Sequence, residues 1–63
     1  MIAKKIRELR KKKKISQEKL ARLADVSYNT IVKIESGESK NPTILTMSGI
    51  AKALGISIDE LVK

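Results

Sequence analysis

The chain has 63 residues, a formal net charge of +7 and no cysteine, which excludes disulfides and thiolate metal sites as supports for its core. Its length predicts one domain over residues 1–63, and a domain this small buries only about 60% of the surface that its unfolded chain exposes. No stretch reaches the roughly 18 apolar residues of a membrane span and no signal-peptide pattern is present, so we expect a cytoplasmic protein without a membrane role.

The first predicted helix covers about residues 2–13, because apolar side chains recur there at helical spacing along one stripe. These side chains are Ile2, Ile6 and Leu9, and Ile15 is expected to close the inner end of the stripe. Lys and Arg occupy most of the other positions. The pattern therefore predicts a buried apolar edge beneath a basic surface.

Positive charge is concentrated at the start of the chain. Residues 1–22 carry ten Lys or Arg against two Glu, whereas residues 23–63 carry four basic and five acidic residues. A basic surface of this kind favours a polyanion such as DNA, RNA or anionic lipid. The run Lys11–Lys14 taken alone is explained equally well as a polyanion-binding surface or as a solvated helix face. Only the pair of helices that follows it favours the first explanation.

Residues 16–37 read as two short helices joined by a brief turn, which is a helix-turn-helix. Ser16 can cap the first helix, and Asp25 interrupts it. Ser27 can cap the second helix, which ends at Gly37. Buried positions are expected at Leu20, Ala21, Val26, Ile31 and Ile34. The exposed face of the second helix, suited to base edges in a major groove, is then formed by Tyr28, Asn29, Thr30, Lys33 and Ser36.

A polar loop with glycine and proline follows at residues 37–42, and Thr43 can cap a fourth helix of about 44–54. Gly55 ends this helix, and Gly49 weakens it by roughly 1 kcal/mol relative to alanine unless a close contact needs glycine. The residues expected to face inward are Ile44, Met47, Ile50, Ala51 and Leu54.

The last start signal is a capping box of Ser57 and Glu60, and Ile56 and Leu61 occupy the positions of a hydrophobic staple. It predicts a short fifth helix that ends near Val62. No alternating strand pattern competes with it. The predicted fold is an all-α, compact five-helix domain with a helix-turn-helix at its second and third helices.

Five motifs form a recognisable set: S-Q-E-K-L-A at 16–21, V-S-Y-N-T-I at 26–31, I-E-S-G at 34–37, N-P at 41–42 and I-A-K-A-L-G-I-S-I-D-E-L at 50–61. With them the chain resembles the Cro and lambdoid-phage-repressor type of helix-turn-helix domain over nearly its whole length. The resemblance implies a domain that binds double-stranded DNA.

The resemblance also implies which side chains contact DNA. The positions that face base edges are matched by Ser27, Tyr28, Asn29 and Lys33. Asn29 suits a bidentate contact to adenine and Lys33 a contact to guanine, while Tyr28 fits a thymine methyl group or a phosphate, or simply covers the helix start. Gln17 matches a residue that grips a phosphate where a helix N-terminus attracts anions. Further DNA backbone contacts are expected from Ser16, Thr30, Ser36, Lys40 and Asn41.

Three residues depart from the family pattern. Lys14, before the first helix of the motif, and Asp25, after it, stand where glycine is usual. Asp tolerates a left-handed backbone better than most residues, so we expect the turn between the two helices of the motif to keep its conformation. Glu38 stands where a basic residue is frequent, and it would repel a nearby phosphate.

Arg10 and Glu35 are expected to form a partly buried ion pair between the first and third helices, as the resemblance implies. The alternative is two independent surface charges. Leu45, Ile58 and Val62 are left over once the core is filled, and they suggest an apolar patch through which two copies dimerise weakly.

The sequence thus favours a sequence-specific DNA-binding regulator of transcription, most simply a homodimeric repressor. A protein-interaction adaptor and a sequence-indifferent DNA-binding module of the same fold remain as alternatives. An enzyme is not expected, because His and Cys are absent and neither paired carboxylates nor a glycine-rich phosphate loop occurs. No metal, cofactor or small-molecule ligand is expected either.

Overall fold

The computed structural model describes residues 2–62, which form five α-helices and no strand. The helices are α1 (Ile2–Lys12), α2 (Gln17–Ala24), α3 (Tyr28–Ser36), α4 (Ile44–Leu54) and α5 (Ile58–Val62). The predicted all-α fold is confirmed, and the helix boundaries agree with the prediction to within about one residue. No helix among residues 2–62 combines the length and apolar character needed to cross a membrane.

Each of the last four helices begins at the capping residue that the sequence predicts. The hydroxyl oxygens of Ser16, Ser27 and Thr43 accept hydrogen bonds from the backbone N–H three residues later. At α5, Ser57 Oγ accepts from the N–H of Glu60 at 3.1 Å, and Glu60 Oε1 accepts from the N–H of Ser57 at 3.3 Å. This reciprocal pair is the predicted capping box.

Helix ends depend on left-handed backbone conformations. Gly37 and Gly55 end α3 and α4 with positive φ. Two residues other than glycine, Lys14 and Asp25, each have a φ of 59° within residues 2–62. These are the two positions at which the resemblance implies glycine, and both adopt the left-handed conformation with a larger side chain.

The core lies where all five helices meet. α2 packs against α3 and α4, while α1 packs against α3 and α5. The buried apolar side chains are Ala3, Ile6, Leu20, Ala21, Ala24, Ile31, Ile34, Met47, Ile50, Ala51, Leu54 and Leu61. Gly49 allows a close approach of α4 to the end of α2, because a Cβ at this position would lie 2.5 Å from the carbonyl oxygen of Ala24.

Three predicted core positions need correction. Ile44 is 73% exposed, because it lies in the first turn of α4, directly after an exposed loop and before the helix reaches the core. Leu9 and Val26 are only half-buried and pack against the core from its edge. Val26 borders an open depression between the α2–α3 turn and α4, which leaves one side of it exposed.

Candidate nucleic-acid interface

The outer face of α3 carries the polar side chains that the sequence assigns to DNA bases. Asn29 and Lys33 are exposed, and about half of the surface of Tyr28 is exposed. Within residues 2–62 these three side chains make no hydrogen bond to the protein. The inner face of the helix is anchored by Ile31 and Ile34, which are completely buried. A helix anchored by its inner face therefore presents polar side chains that are free of intramolecular hydrogen bonds among the described residues.

Ser27 and Thr30 are less free than the sequence suggests. Ser27 Oγ caps α3 by accepting from the N–H of Thr30, and the two hydroxyl oxygens are 2.7 Å apart. One hydroxyl must donate to the other, so the pair offers only one hydroxyl hydrogen to a ligand. A base contact by Ser27 and a backbone contact by Thr30 cannot both use a hydroxyl donor at the same time.

The N-terminus of α2 presents donors next to α3. Ser16 Oγ accepts from the N–H of Lys19 at 3.0 Å, which leaves its own hydroxyl hydrogen without a protein partner within residues 2–62. The backbone N–H groups of Gln17 and Glu18 belong to the first helical turn and have no intrahelical acceptor. Such groups attract an anion, as does the positive end of the helix dipole.

Glu35 is the one fully buried charged residue within residues 2–62, and it joins three helices. The Arg10 guanidinium donates twice to its carboxylate, with Nε 2.7 Å from Oε2 and Nη2 3.0 Å from Oε1. Arg10 also donates to the carbonyl oxygen of Ile15 at 2.8 Å. Gln17 Nε2 donates to Glu35 Oε1 at 3.1 Å. The carboxylate is therefore satisfied by both α1 and the start of α2.

This network changes how Gln17 can act. The sequence assigns its amide to a phosphate, yet one N–H is engaged by Glu35 and the side chain is half-buried. Only the second amide N–H and the backbone N–H remain as donors. The residue links a surface that faces an anion to the carboxylate that fixes α3 against α1.

Arg7 is a functional candidate that the sequence reasoning missed. Its Nη1 donates to the carbonyl oxygen of Glu35, one of the last four carbonyls of α3, which have no intrahelical partner. A cation at a helix C-terminus also interacts favourably with the dipole. The detectable signal is its spacing, because Arg7 precedes Arg10 by three residues and the two lie on one side of α1.

The loop after α3 contains the remaining predicted contacts. Lys40 and Asn41 are exposed, as is Glu38. Ser36 Oγ donates to the carbonyl oxygen of Lys33 at 3.0 Å and accepts from the N–H of Glu38 at 3.3 Å. Ser36 would have to give up the first bond to donate to a phosphate, whereas Lys40 and Asn41 carry no such restriction.

The apolar patch predicted near the C-terminus is only partly exposed. Leu45 is 84% and Val62 56% exposed, but Ile58 is half-buried and packs against the core. Ile44, next to Leu45, adds apolar surface that the sequence placed inside. Within residues 2–62 no group of three or more His, Cys, Asp or Glu side chains is placed to hold a metal ion.

Comparisons with known proteins agree with this architecture. A family model described as helix-turn-helix matches residues 6–61. The chain is similar to the master regulator for biofilm formation SinR, in a crystal structure with DNA, at 30% identity over 100% of both chains and a TM-score of 0.95. It is also similar to the restriction-modification controller protein C.AhdI from Aeromonas hydrophila, at 33% identity over 95% of this chain and 89% of that chain, with a TM-score of 0.89. No curated protein sequence matches significantly.

Proposed function

The chain belongs to the Cro/C1-type helix-turn-helix family of DNA-binding transcription regulators, and from this membership we propose that it reads a specific site in double-stranded DNA as a weak homodimer. In the simplest case it is a repressor that acts by occupying its site. Residues 1–63 act as one domain without catalytic activity. A reducing cytoplasm, where we place the protein, suits a chain without cysteine.

One observation carries the proposal. The side chains of Asn29 and Lys33 are exposed on α3 and make no hydrogen bond to the rest of residues 2–62, and Ile31 and Ile34 on the inner face are completely buried. A bidentate amide contact to adenine and a lysine contact to guanine each contribute roughly 1–3 kcal/mol of discrimination. Tyr28 and the Ser27–Thr30 hydroxyl pair supply the remaining contacts at the start of the helix.

Contacts to the DNA backbone orient α3 in the groove. We assign them to Ser16, Gln17, Ser36, Lys40 and Asn41, with the one free hydroxyl of the Ser27–Thr30 pair. Such contacts fix register and orientation but carry no direct sequence information. Glu38 opposes them from the exposed loop, so Lys40 and Asn41 contribute less than they would beside a neutral residue.

Dimerisation is proposed through the apolar patch of Leu45, Ile58 and Val62. Leu45 and Val62 are mostly exposed, and the exposed Ile44 extends the patch. A self-complementary patch gives two-fold symmetry, and two copies then meet two half-sites of opposite orientation. Because Ile58 is already half-buried in its own domain, the interface is small and the free protein associates weakly.

The test compares affinities for a site selected from random DNA with affinities for random DNA. Asn29→Ala and Lys33→Ala lower the preference for the selected site, each by about 1–3 kcal/mol. Gln17→Ala weakens binding to both DNAs about equally, because its contact is to the backbone. Lys13→Ala is the control for the loss of one positive charge, since Lys13 is exposed and its ammonium lies beside Gly55, after α4.

Each other outcome points to another role. Equal weakening of both DNAs by Asn29→Ala and Lys33→Ala would contradict base reading and leave a sequence-indifferent DNA-binding module. Undetectable binding to any DNA at low salt would leave a protein-interaction adaptor. The thermal unfolding midpoint of every variant is measured alongside, because Gln17 also donates to Glu35.

A further inference from the structure

A basic cleft lies where the N-terminal part of α1 meets the turn after α3. It consists of two adjoining depressions of about 250 and 520 Å³ that share Ala3 and Gly37. Lys4 and Arg7 line it from α1, and Lys40 lines it from the loop after α3. Three positive charges from two distant parts of the chain are therefore gathered around one opening.

Among residues 2–62 no carboxylate forms an ion pair with these three cations. Arg10–Glu35 is the one ion pair within 4.0 Å found among residues 2–62, so Lys4, Arg7 and Lys40 have no such partner there. The nearest acidic residues along the chain, Glu8 and Glu38, are exposed and line neither depression. An anion that enters the cleft relieves the repulsion among three cations, which is the electrostatic condition for binding a phosphate.

The floor of the cleft is open. Gly37 ends α3 with a φ of 86°, and apart from its two chain neighbours no residue has an atom within 4 Å of the place where a Cβ would be. Ala3 is small and buried. Arg7 is held in place by its hydrogen bond to the carbonyl oxygen of Glu35. Its guanidinium has five N–H donors and so keeps others for a ligand.

The cleft continues the DNA-reading face of α3. Asn29, Lys33 and Ser36 follow each other at spacings of four and three residues, which places them in one row along the helix. Ser36 also lines the larger depression. A duplex lying along this row therefore reaches the cleft at the C-terminal end of α3.

We propose that this cleft binds a phosphate of the DNA backbone beyond the bases read by α3, with Lys4 and Lys40 as its charged contacts and Arg7 as a fixed donor between them. The proposal rests on the proposed function and extends it, because it places part of the DNA interface on α1. The basic start of the chain then contributes affinity at a defined place and not only as a diffuse charge.

The experiment measures the dissociation constant as a function of salt concentration for the wild type, Lys4→Ala and Lys13→Ala. Lys13 is the matched control, because its ammonium lies beside Gly55 at the turn between α4 and α5, away from the cleft. Each phosphate contact makes the slope of log affinity against log salt concentration more negative by about 0.9. Lys4→Ala makes the slope less negative by that amount, Lys4→Arg restores the wild-type slope, and Lys13→Ala leaves it unchanged.

A second measurement locates the contact. Single neutral methylphosphonate substitutions are scanned across and beyond a selected site. For the wild type, one flanking substitution weakens binding several-fold, and the same substitution has no further effect on Lys4→Ala. It keeps its full effect on Lys13→Ala.

The outcomes separate this inference from the proposed function. Equal slopes and equal methylphosphonate profiles for Lys4→Ala and Lys13→Ala would overturn the cleft. Failure of the wild type to distinguish the selected site from random DNA would overturn sequence reading instead. The salt slopes of the same variants are also measured on random-sequence DNA. The cleft is therefore tested even if the protein does not distinguish the selected site.

Discussion

Lys14 holds a left-handed backbone conformation with a φ of 59°, which costs an L-residue about 1–2 kcal/mol. Glycine adopts it without that strain but loses about 0.5–1 kcal/mol through extra freedom in the unfolded chain. We therefore predict that Lys14→Gly raises the free energy of unfolding by up to about 1 kcal/mol. Urea unfolding followed by circular dichroism measures the change.

Lys13→Gly is the control for this substitution. Lys13 is the preceding residue and is not among those with positive φ within residues 2–62. Glycine there relieves no strain, so the same assay should show no gain. A gain of equal size for both variants would mean that the effect comes from the loss of a lysine charge in the basic run and not from relief of backbone strain.

For individual residues, the sequence predicts the local interactions well. Ser16, Ser27, Thr43 and Ser57 cap the helices as expected, because a cap depends only on residues three positions apart. The hydrogen bond from Gln17 to Glu35 could not be predicted, because it joins residues eighteen positions apart. The burial of Ile44 was predicted wrongly, since helical spacing alone does not say where along a helix the core begins.

The elements of the helix-turn-helix are fixed against α1 by the buried carboxylate of Glu35. Its partners Arg10 and Gln17 lose their acceptor in Glu35→Ala, and Arg10 is left as a largely buried, uncompensated charge. Removing one member of a buried pair costs about 3–5 kcal/mol, and because the Arg10 side chain keeps some exposure we expect about 3 kcal/mol.

Thermal and urea unfolding of Glu35→Ala measure this loss, with Glu38→Ala as the matched control. Glu38 is an exposed glutamate just after the same helix, and its replacement should change the free energy of unfolding by less than about 0.5 kcal/mol. Equal stability of the two variants would mean that the ion pair contributes nothing net to holding α1 against α3.

The contact between α2 and α4 depends on Gly49. Helix propensity alone predicts that Gly49→Ala stabilises the protein by about 1 kcal/mol. The new Cβ would lie 2.5 Å from the carbonyl oxygen of Ala24, so the helices must move apart at a cost of about 1–3 kcal/mol, and we predict a net loss of stability. Ser48→Ala, on the exposed side of α4, should be neutral or slightly stabilising. A more stable Gly49→Ala protein would contradict this close approach.

All five helices could be predicted, because each has apolar residues at helical spacing and the last four also have capping residues. Their mutual contacts could be predicted only where the family resemblance supplied them, as for Arg10 and Glu35. The role of Arg7 depends on which carbonyls α3 leaves unpaired and on how α1 crosses it. The cleft of Lys4, Arg7 and Lys40 likewise joins segments far apart in sequence, and no local pattern indicates it.

The whole molecule is small relative to the site proposed for it. Its extents are 22 × 21 × 19 Å, whereas one turn of B-DNA rises roughly 34 Å, the spacing of two half-sites. In the proposed complex, one copy therefore covers one half-site and two copies touch over a limited area. We predict weak self-association of the free protein and cooperative binding of two copies to a DNA with two inverted half-sites.

Sedimentation of the protein with and without this DNA measures both properties. Leu45→Ser, in the dimer patch, should abolish cooperativity while leaving binding to a single half-site intact. Leu23→Ser is the matched control, since Leu23 is an exposed leucine of α2 outside the patch. A one-to-one complex at saturation on two half-sites would refute the dimer.

Selection of bound fragments from a random pool of duplex DNA tests whether α3 reads a defined DNA sequence. We predict enrichment of an inverted repeat whose half-sites are about 10 base pairs apart, centre to centre. Asn29→Ala should enrich sequences that are no longer constrained at one position of each half-site. A pool that remains random after repeated selection, although the protein binds it in a salt-dependent manner, would contradict this prediction.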